Sequence, residues 1–218
     1  MTKSKIIKQL ANGEVSIEVA LNRIIIIAFD VGNEKLAQWA ESELQGYQYE
    51  DVPPYRKIKS GHFIYSGING SFQVTNIVFP YIDIIKKYDS DAFDVSICDG
   101  ISTIEGYIKK QKMPVRDFTY LNGKVMKETG ISCTNISQRI PLNSIEKIVN
   151  KIKTILLKIL LQLEKVYGCL DELDIDISNF DENVVKETNV IINNYIYLDE
   201  SITIGNENKI DSSNIIGG

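Results

Sequence analysis

The stretch "NSIEKIVNKIKTILLKILLQLEKVYGCLDEL", residues 143–173, decides the architecture, because its centre "ILLKILL" is apolar on nearly every side. A membrane-spanning helix needs about 20 consecutive, predominantly apolar residues. Here Glu146, Lys147, Lys151, Lys153, Lys158, Glu164 and Lys165 interrupt too often for that. The apolar residues instead keep a four-three spacing: Ile145, Val149, Ile152, Leu156, Ile159, Leu163, Val166, Leu170 and Leu173. That is a heptad on one long helix, with Leu or Val at a and mainly Ile at d, a combination associated with tetrameric coiled coils. Ile148, Ile155, Leu160, Leu161 and Tyr167 widen the stripe beyond a dimer seam. The spacing supports three uses: the central helix of a monomeric domain, an oligomerisation helix, or a Lys-lined amphipathic helix at a membrane, since Lys151, Lys158 and Lys165 recur every seven residues. Asn143 as N-cap with Glu146 three residues on predicts a capping box at its start.

Outward from this helix, residues 1–50 read as helical. Ile6, Ile7 and Leu10 form a short apolar face that stops at Asn12 and Gly13. Ser16 suits an N-cap with Glu18 in the first turn, opening a helix over about Ile17–Val31, whose "RIIIIAFD" centre keeps the 3.6-residue period despite its β-branched content. Gly32 fits a C-terminal stop and Asn33 an N-cap, opening a third helix that ends near Gly46. Pro53 and Pro54 then break the helical run.

The segment 57–125 is the β-rich part. "IKSGHFIYSGINGSFQVTNIVF", 58–79, predicts a hairpin turning at "GING", and 81–111 a short helix, a strand and another helix. "FTYLNGKVMKE" reads as a second hairpin or a loop. Residues 175–218 form an Asn- and Gly-rich tail in which "DIDIS" and "NVIINNYIYLDESITIG" alternate as strands do. The fold class expected is α+β: an N-terminal helical motif, a small central antiparallel β region, the long helix, and a polar tail with short strands, with 1–174 as one domain.

A chain of 218 residues, 44 % apolar and 24 % charged, can bury a sizeable core. Its net charge of -5 argues against a broad electrostatic grip on nucleic acid. Three cysteines without CxxC spacing, and a start lacking an apolar secretory core, predict a reduced, cytoplasmic protein. One histidine, His62, makes a metal site improbable, and no metal or cofactor is expected.

No GxGxxG, GxxxxGK[ST], HExxH or GxSxG occurs. Cys98 and His62 are poor candidates for a thiol dyad, and Asp89 with Asp91, or Asp171, Glu172 and Asp174, sit where solvated boundaries are expected. More informative are Trp39, Glu43 and Tyr47, which share one helix face at i, i+4 and i+8, and Arg23, which interrupts an apolar helix. Arg23 would either pair with Glu43 and fix the register of two helices, or join Tyr55 and Arg56 in holding an anion such as a phosphate.

"LANGEVSIEVALNRIIIIAFDVGNEKLAQWAESELQGY", 10–47, followed by "VPPYR", 52–56, resembles the AbiTii domain of bacterial abortive-infection proteins. Leu10, Asn12, Gly13, Glu14, Ser16, Ala20, Leu21 and Arg23 carry the first part of that pattern; Leu36, Ala37, Trp39, Glu43, Leu44, Gly46, Tyr47 and Pro53–Arg56 carry the rest. "LLQLEK" in the long helix is also similar. The resemblance implies a role in anti-phage defence and no catalytic residues, so Arg23, Trp39, Glu43, Tyr47, Tyr55 and Arg56 are candidate ligand or partner contacts. The expected function is a self-assembling, non-enzymatic effector or adaptor, forming a homo-oligomer and answering to a partner defence protein or a nucleotide signal. The alternatives are a toxin enzyme acting on nucleic acid or nucleotides, and a membrane-disrupting assembly.

Overall fold

The computed structural model describes residues 3–172 and 175–197. In order they form helices α1 (Lys5–Asn12), α2 (Ile17–Asp30) and α3 (Glu34–Gln45), strands β1 (Lys57–Lys59), β2 (Phe63–Asn69) and β3 (Phe72–Val78), helix α4 (Ile82–Tyr88), strand β4 (Asp94–Ser96) and helix α5 (Ile101–Lys109). Strand β5 (Val115–Asp117), helix α6 (Asn122–Thr129), strand β6 (Ser132–Arg139) and helices α7 (Leu142–Tyr167) and α8 (Glu182–Tyr197) complete the set. The fold is α+β.

Two cores divide the chain. The larger is helical and gathers the inner faces of α1, α2, α3, α5, α7 and α8. The smaller lies on one face of an antiparallel sheet ordered β3-β2-β6-β5, where Phe63, Tyr65 and Ile136 pack with Ile85 of α4 and Val125 of α6. Edge-on contacts of Phe63 with Phe93 and Phe118 tie this core together. A separate antiparallel pair, β1-β4, leads out of the helical core toward the sheet.

The N-terminal expectations hold. Ser16 Oγ accepts the Val19 N–H at 3.2 Å and Asn33 Oδ1 accepts the Leu36 N–H at 3.1 Å, so both act as N-caps. The long helix α7 is present, but its ends differ from those expected. Pro141 occupies the N-cap position with no side-chain cap bond, so Asn143 lies inside the first turn and the capping box with Glu146 does not form. The helix stops at Tyr167, where Gly168 takes a positive φ of 88°.

Most of the heptad stripe is covered by this chain. Ile145, Ile152, Leu156, Ile159 and Leu163 are buried in the helical core, Leu170 is buried beyond the helix end, and Val149 and Val166 are half-buried. Leu173 lies outside the described residues. The exposed line of α7 is narrow and polar, apart from Leu161. No helix among the described residues is long and apolar enough to cross a membrane.

Four readings need correction. The hairpin turn sits at Gly70 and Ser71 rather than across "GING"; Gly67 lies within β2, at a register shift. "NGKVMKE" lies in helix α6, not in a hairpin or loop, and the helix is closed by Gly130 in the left-handed conformation. "NVIINNYIY" is the body of α8, not a strand: Thr188, Ile192 and Ile196, four apart, bury one helical face, and tertiary contact overrides β-branched content. "DIDIS" is not a strand either, since Ile177–Asn179 is a 3-10 turn capped by Asp176, and 198–218 lies outside the described residues.

The N-terminus is clasped to the end of α7. Glu164 accepts hydrogen bonds from Lys3 Nζ, Ser4 N and Ser4 Oγ, each at 2.6 Å, and Asp171 Oδ1 accepts the Lys5 N–H at 2.6 Å. Burial alone would raise the Glu164 carboxyl, but these donors outweigh it and hold it at about 2 instead of 4.5. A depressed folded pKa stabilises above the unfolded value, so this contribution is present above pH of about 4.5 and is lost as pH falls toward about 2. Glu164→Ala is expected to cost about 2 kcal/mol at neutral pH, the range for stranding donors to a charged group. Urea unfolding from pH 7 to 3 should show that gap closing with acidification.

Candidate functional site

The candidate residues converge where α3, the Pro53–Pro54 segment and the entry to α5 meet. Trp39 and Glu43 lie on the buried face of α3. The turn Pro54–Arg56 then delivers Tyr55 and Arg56 immediately before β1. Pairing of β1 with β4 carries the chain to Ile97, whose N–H donates to the Arg56 carbonyl at 3.0 Å.

Glu43 and Arg56 form an ion pair with both side chains fully buried. Arg56 Nη2 donates to Glu43 Oε2 at 2.5 Å and Arg56 Nε to Oε1 at 3.3 Å, a two-pronged match of guanidinium to carboxylate. The remaining face of the guanidinium is also used: Nη1 donates to the carbonyls of Ile97 at 3.1 Å and Asp99 at 2.7 Å. Glu43 Oε1 further accepts the hydroxyls of Tyr47, at 2.7 Å, and Tyr55. Trp39 Nε1 donates to the Tyr55 oxygen at 2.9 Å, and the Tyr47 ring lies 5.0 Å from the Arg56 guanidinium carbon. Burial, and then the neighbouring Glu43 charge, push both phenols above their ordinary range. Burial works against the Arg56 cation, but Glu43 more than offsets it and raises its pKa.

Two glycines let the backbones approach closely enough for this. Gly46 pairs with Asp99 as an isolated bridge, and the Tyr47 N–H donates to the Cys98 carbonyl at 2.8 Å. A β-carbon on Gly100 would stand 2.2 Å from the Leu44 carbonyl oxygen. The stretch "SICDG", 96–100, was of interest in the sequence only for the Cys98 thiol. Its contribution is the two carbonyls that Arg56 grips, and Gly100 was the one local sign of a close approach.

Arg23 does not join this cluster. It is half-buried on α2 and has no hydrogen bond or ion pair among the described residues, so neither its pairing with Glu43 nor an anion pocket with Arg56 forms. Of the other acidic candidates, Asp89 accepts the Tyr120 hydroxyl at 2.5 Å and Asp171 ties down α1, while Asp174 lies outside the described residues. No group of His, Cys, Asp and Glu with metal-binding geometry occurs among the described residues.

Beside the Glu43–Arg56 pair opens a cleft of about 630 Å³. Gln38, Ser42 and Tyr47 form one side, Asp51 and Pro53 another, and Tyr197 at the end of α8 a third. Among the described residues that line it there is no Lys or Arg, and Asp51 is the one carboxylate. Its phenol rings, amide and hydroxyl suit a planar group with hydrogen-bonding edges.

No curated protein and no solved structure matches the chain. A family model, AbiTii, matches residues 3–190, from the N-terminal clasp through most of α8. That span contains the buried pair, both glycines and most of the cleft wall, so the chain belongs to the AbiTii family, and with that membership goes a role in abortive infection.

Proposed function

We propose that this protein is a non-enzymatic, self-assembling effector or adaptor of abortive infection, controlled by a planar ligand, such as the base of a nucleotide signal, held in the cleft beside Glu43 and Arg56. The observation that carries the non-enzymatic reading is saturation. Each nitrogen of the motif's buried guanidinium donates to Glu43 or a backbone carbonyl, and Glu43 accepts from three side chains. A general acid, base or nucleophile must reach a substrate, and these groups face only each other. They brace the cleft, while Ser42, Gln38, Asp51 and the tyrosine rings remain able to meet a ligand.

Filling the cleft tests this. Ser42→Trp, on the half-buried flank of α3, is expected to abolish growth arrest on phage challenge while leaving the unfolding midpoint unchanged. Arrest at the wild-type level in a folded Ser42→Trp protein would remove the cleft from the reading.

A further inference from the structure

Self-assembly, which this inference takes from the reading above, needs a surface, and the α7 stripe is occupied by the chain's own core. The two edges of the four-stranded sheet differ sharply. Strand β5 is three residues long, follows Pro114, and carries Arg116 and Asp117, the devices that blunt an edge against further pairing. Strand β3 is seven residues long and, among the described residues, has only β2 beside it. In a chain with 24 % charged residues, no Lys, Arg, Asp or Glu occurs between Lys59 and Asp83, so the whole β2–β3 hairpin is uncharged.

Its apolar side chains face solvent. Phe72 is 75 % exposed, Val78 64 %, Ile68 54 % and Ile77 41 %. The backbone edge is open too: the Phe79 N–H donates inward to the Phe63 carbonyl, so the alternation of an antiparallel ladder turns the amide and carbonyl of Val78 outward. One irregularity interrupts the edge at Asn76, which has a φ of 52° and donates its N–H back to Ser66 Oγ at 3.0 Å. It divides β3 into Phe72–Val74 and Ile77–Val78.

We infer that β3 is the self-association edge of this protein, pairing antiparallel with β3 of a second copy about a two-fold axis near Thr75. That register sets the Phe72 run of each copy against the Val78 run of the other and joins the two sheets into one. A second copy is the occupant the charges favour, because an uncharged edge meets its own image without repulsion. A two-fold contact is also self-complementary, so a single strand supplies both halves.

Sedimentation velocity on the full chain over a concentration series tests this. Wild type is expected to show a reversible monomer–dimer equilibrium, and Val78→Lys to weaken it about tenfold or more, because each lysine would stand against Phe72 of the other copy and replace an apolar contact with a desolvated charge. Because Val78 is exposed, the variant should keep its circular dichroism and unfolding midpoint. In a Cys169→Ser background, Thr75→Cys should form a disulfide-linked dimer on mild oxidation, and the chain without Thr75→Cys should not. A wild type that stays monomeric throughout overturns both this edge and the self-assembly reading. A dimer that neither Val78→Lys weakens nor Thr75→Cys traps overturns the edge alone. A monomer that instead floats with phosphatidylcholine vesicles, and ceases to do so with Val78→Lys, assigns the hairpin to lipid and overturns the pairing.

Discussion

Arg56→Met is expected to lower the stability of this protein by about 3–5 kcal/mol, the range for removing one partner of a buried ion pair. With Arg56 gone, the Glu43 carboxylate stays fully buried with only the Tyr47 and Tyr55 hydroxyls to hold it, and the Ile97 and Asp99 carbonyls lose their donor. A domain has only about 5–15 kcal/mol of stability in total, so the loss is a large share of it. Glu43→Gln combined with Arg56→Met should recover much of the loss, because no unpaired charge remains; urea unfolding of the two singles and the double gives the coupling. The same set separates structure from chemistry in cells. If the pair braces the fold, growth arrest should fall in step with stability and return in part with the double variant. Single variants that keep the wild-type midpoint and still lose arrest would assign the pair a chemical role.

What the sequence made legible was mostly local. Ser16 and Asn33 announce their helices because a cap acts within three residues of itself, and the α7 spacing survives because a long helix repeats its signal over several turns. The candidate cluster was half legible. Trp39, Glu43 and Tyr47 stood out by their i, i+4, i+8 spacing, and Tyr55 and Arg56 by their place after the two prolines. The sequence does not distinguish the partner of Glu43, because Arg23 and Arg56 are equally cationic there, and only the β1–β4 pairing brings Arg56 rather than Arg23 to α3. Strand β6 is hidden in the sequence because "SCTNISQR" is polar, lacks clean alternation and owes its burial to β2 and α6. The α8 helix was missed for the opposite reason: its β-branched residues imitate a strand until α3 and α7 claim one face of it.

Gly100→Ala is expected to destabilise the protein by about 3 kcal/mol, at the upper end of the usual cost of overpacking. Gly100 has an ordinary φ of -66° at the N-cap of α5, so the backbone there accepts any residue and the penalty comes from contact alone. The added β-carbon would meet the Leu44 carbonyl oxygen at 2.2 Å and the Leu44 carbonyl carbon at 3.0 Å, both backbone atoms that no rotamer change can move aside. To relieve the clash, the end of α3 must separate from the start of α5. That movement pulls the Asp99 carbonyl from Arg56 and breaks the Gly46–Asp99 bridge, so the damage reaches the buried pair. Gly106 supplies the control within the same helix: a β-carbon there meets nothing within 4 Å, and Gly106→Ala should stabilise by about 0.5–1 kcal/mol. Opposite shifts of the urea midpoint for two identical substitutions six residues apart would locate the effect in the α3–α5 contact, whereas equal shifts would mean that Gly100 serves only the flexibility of the chain.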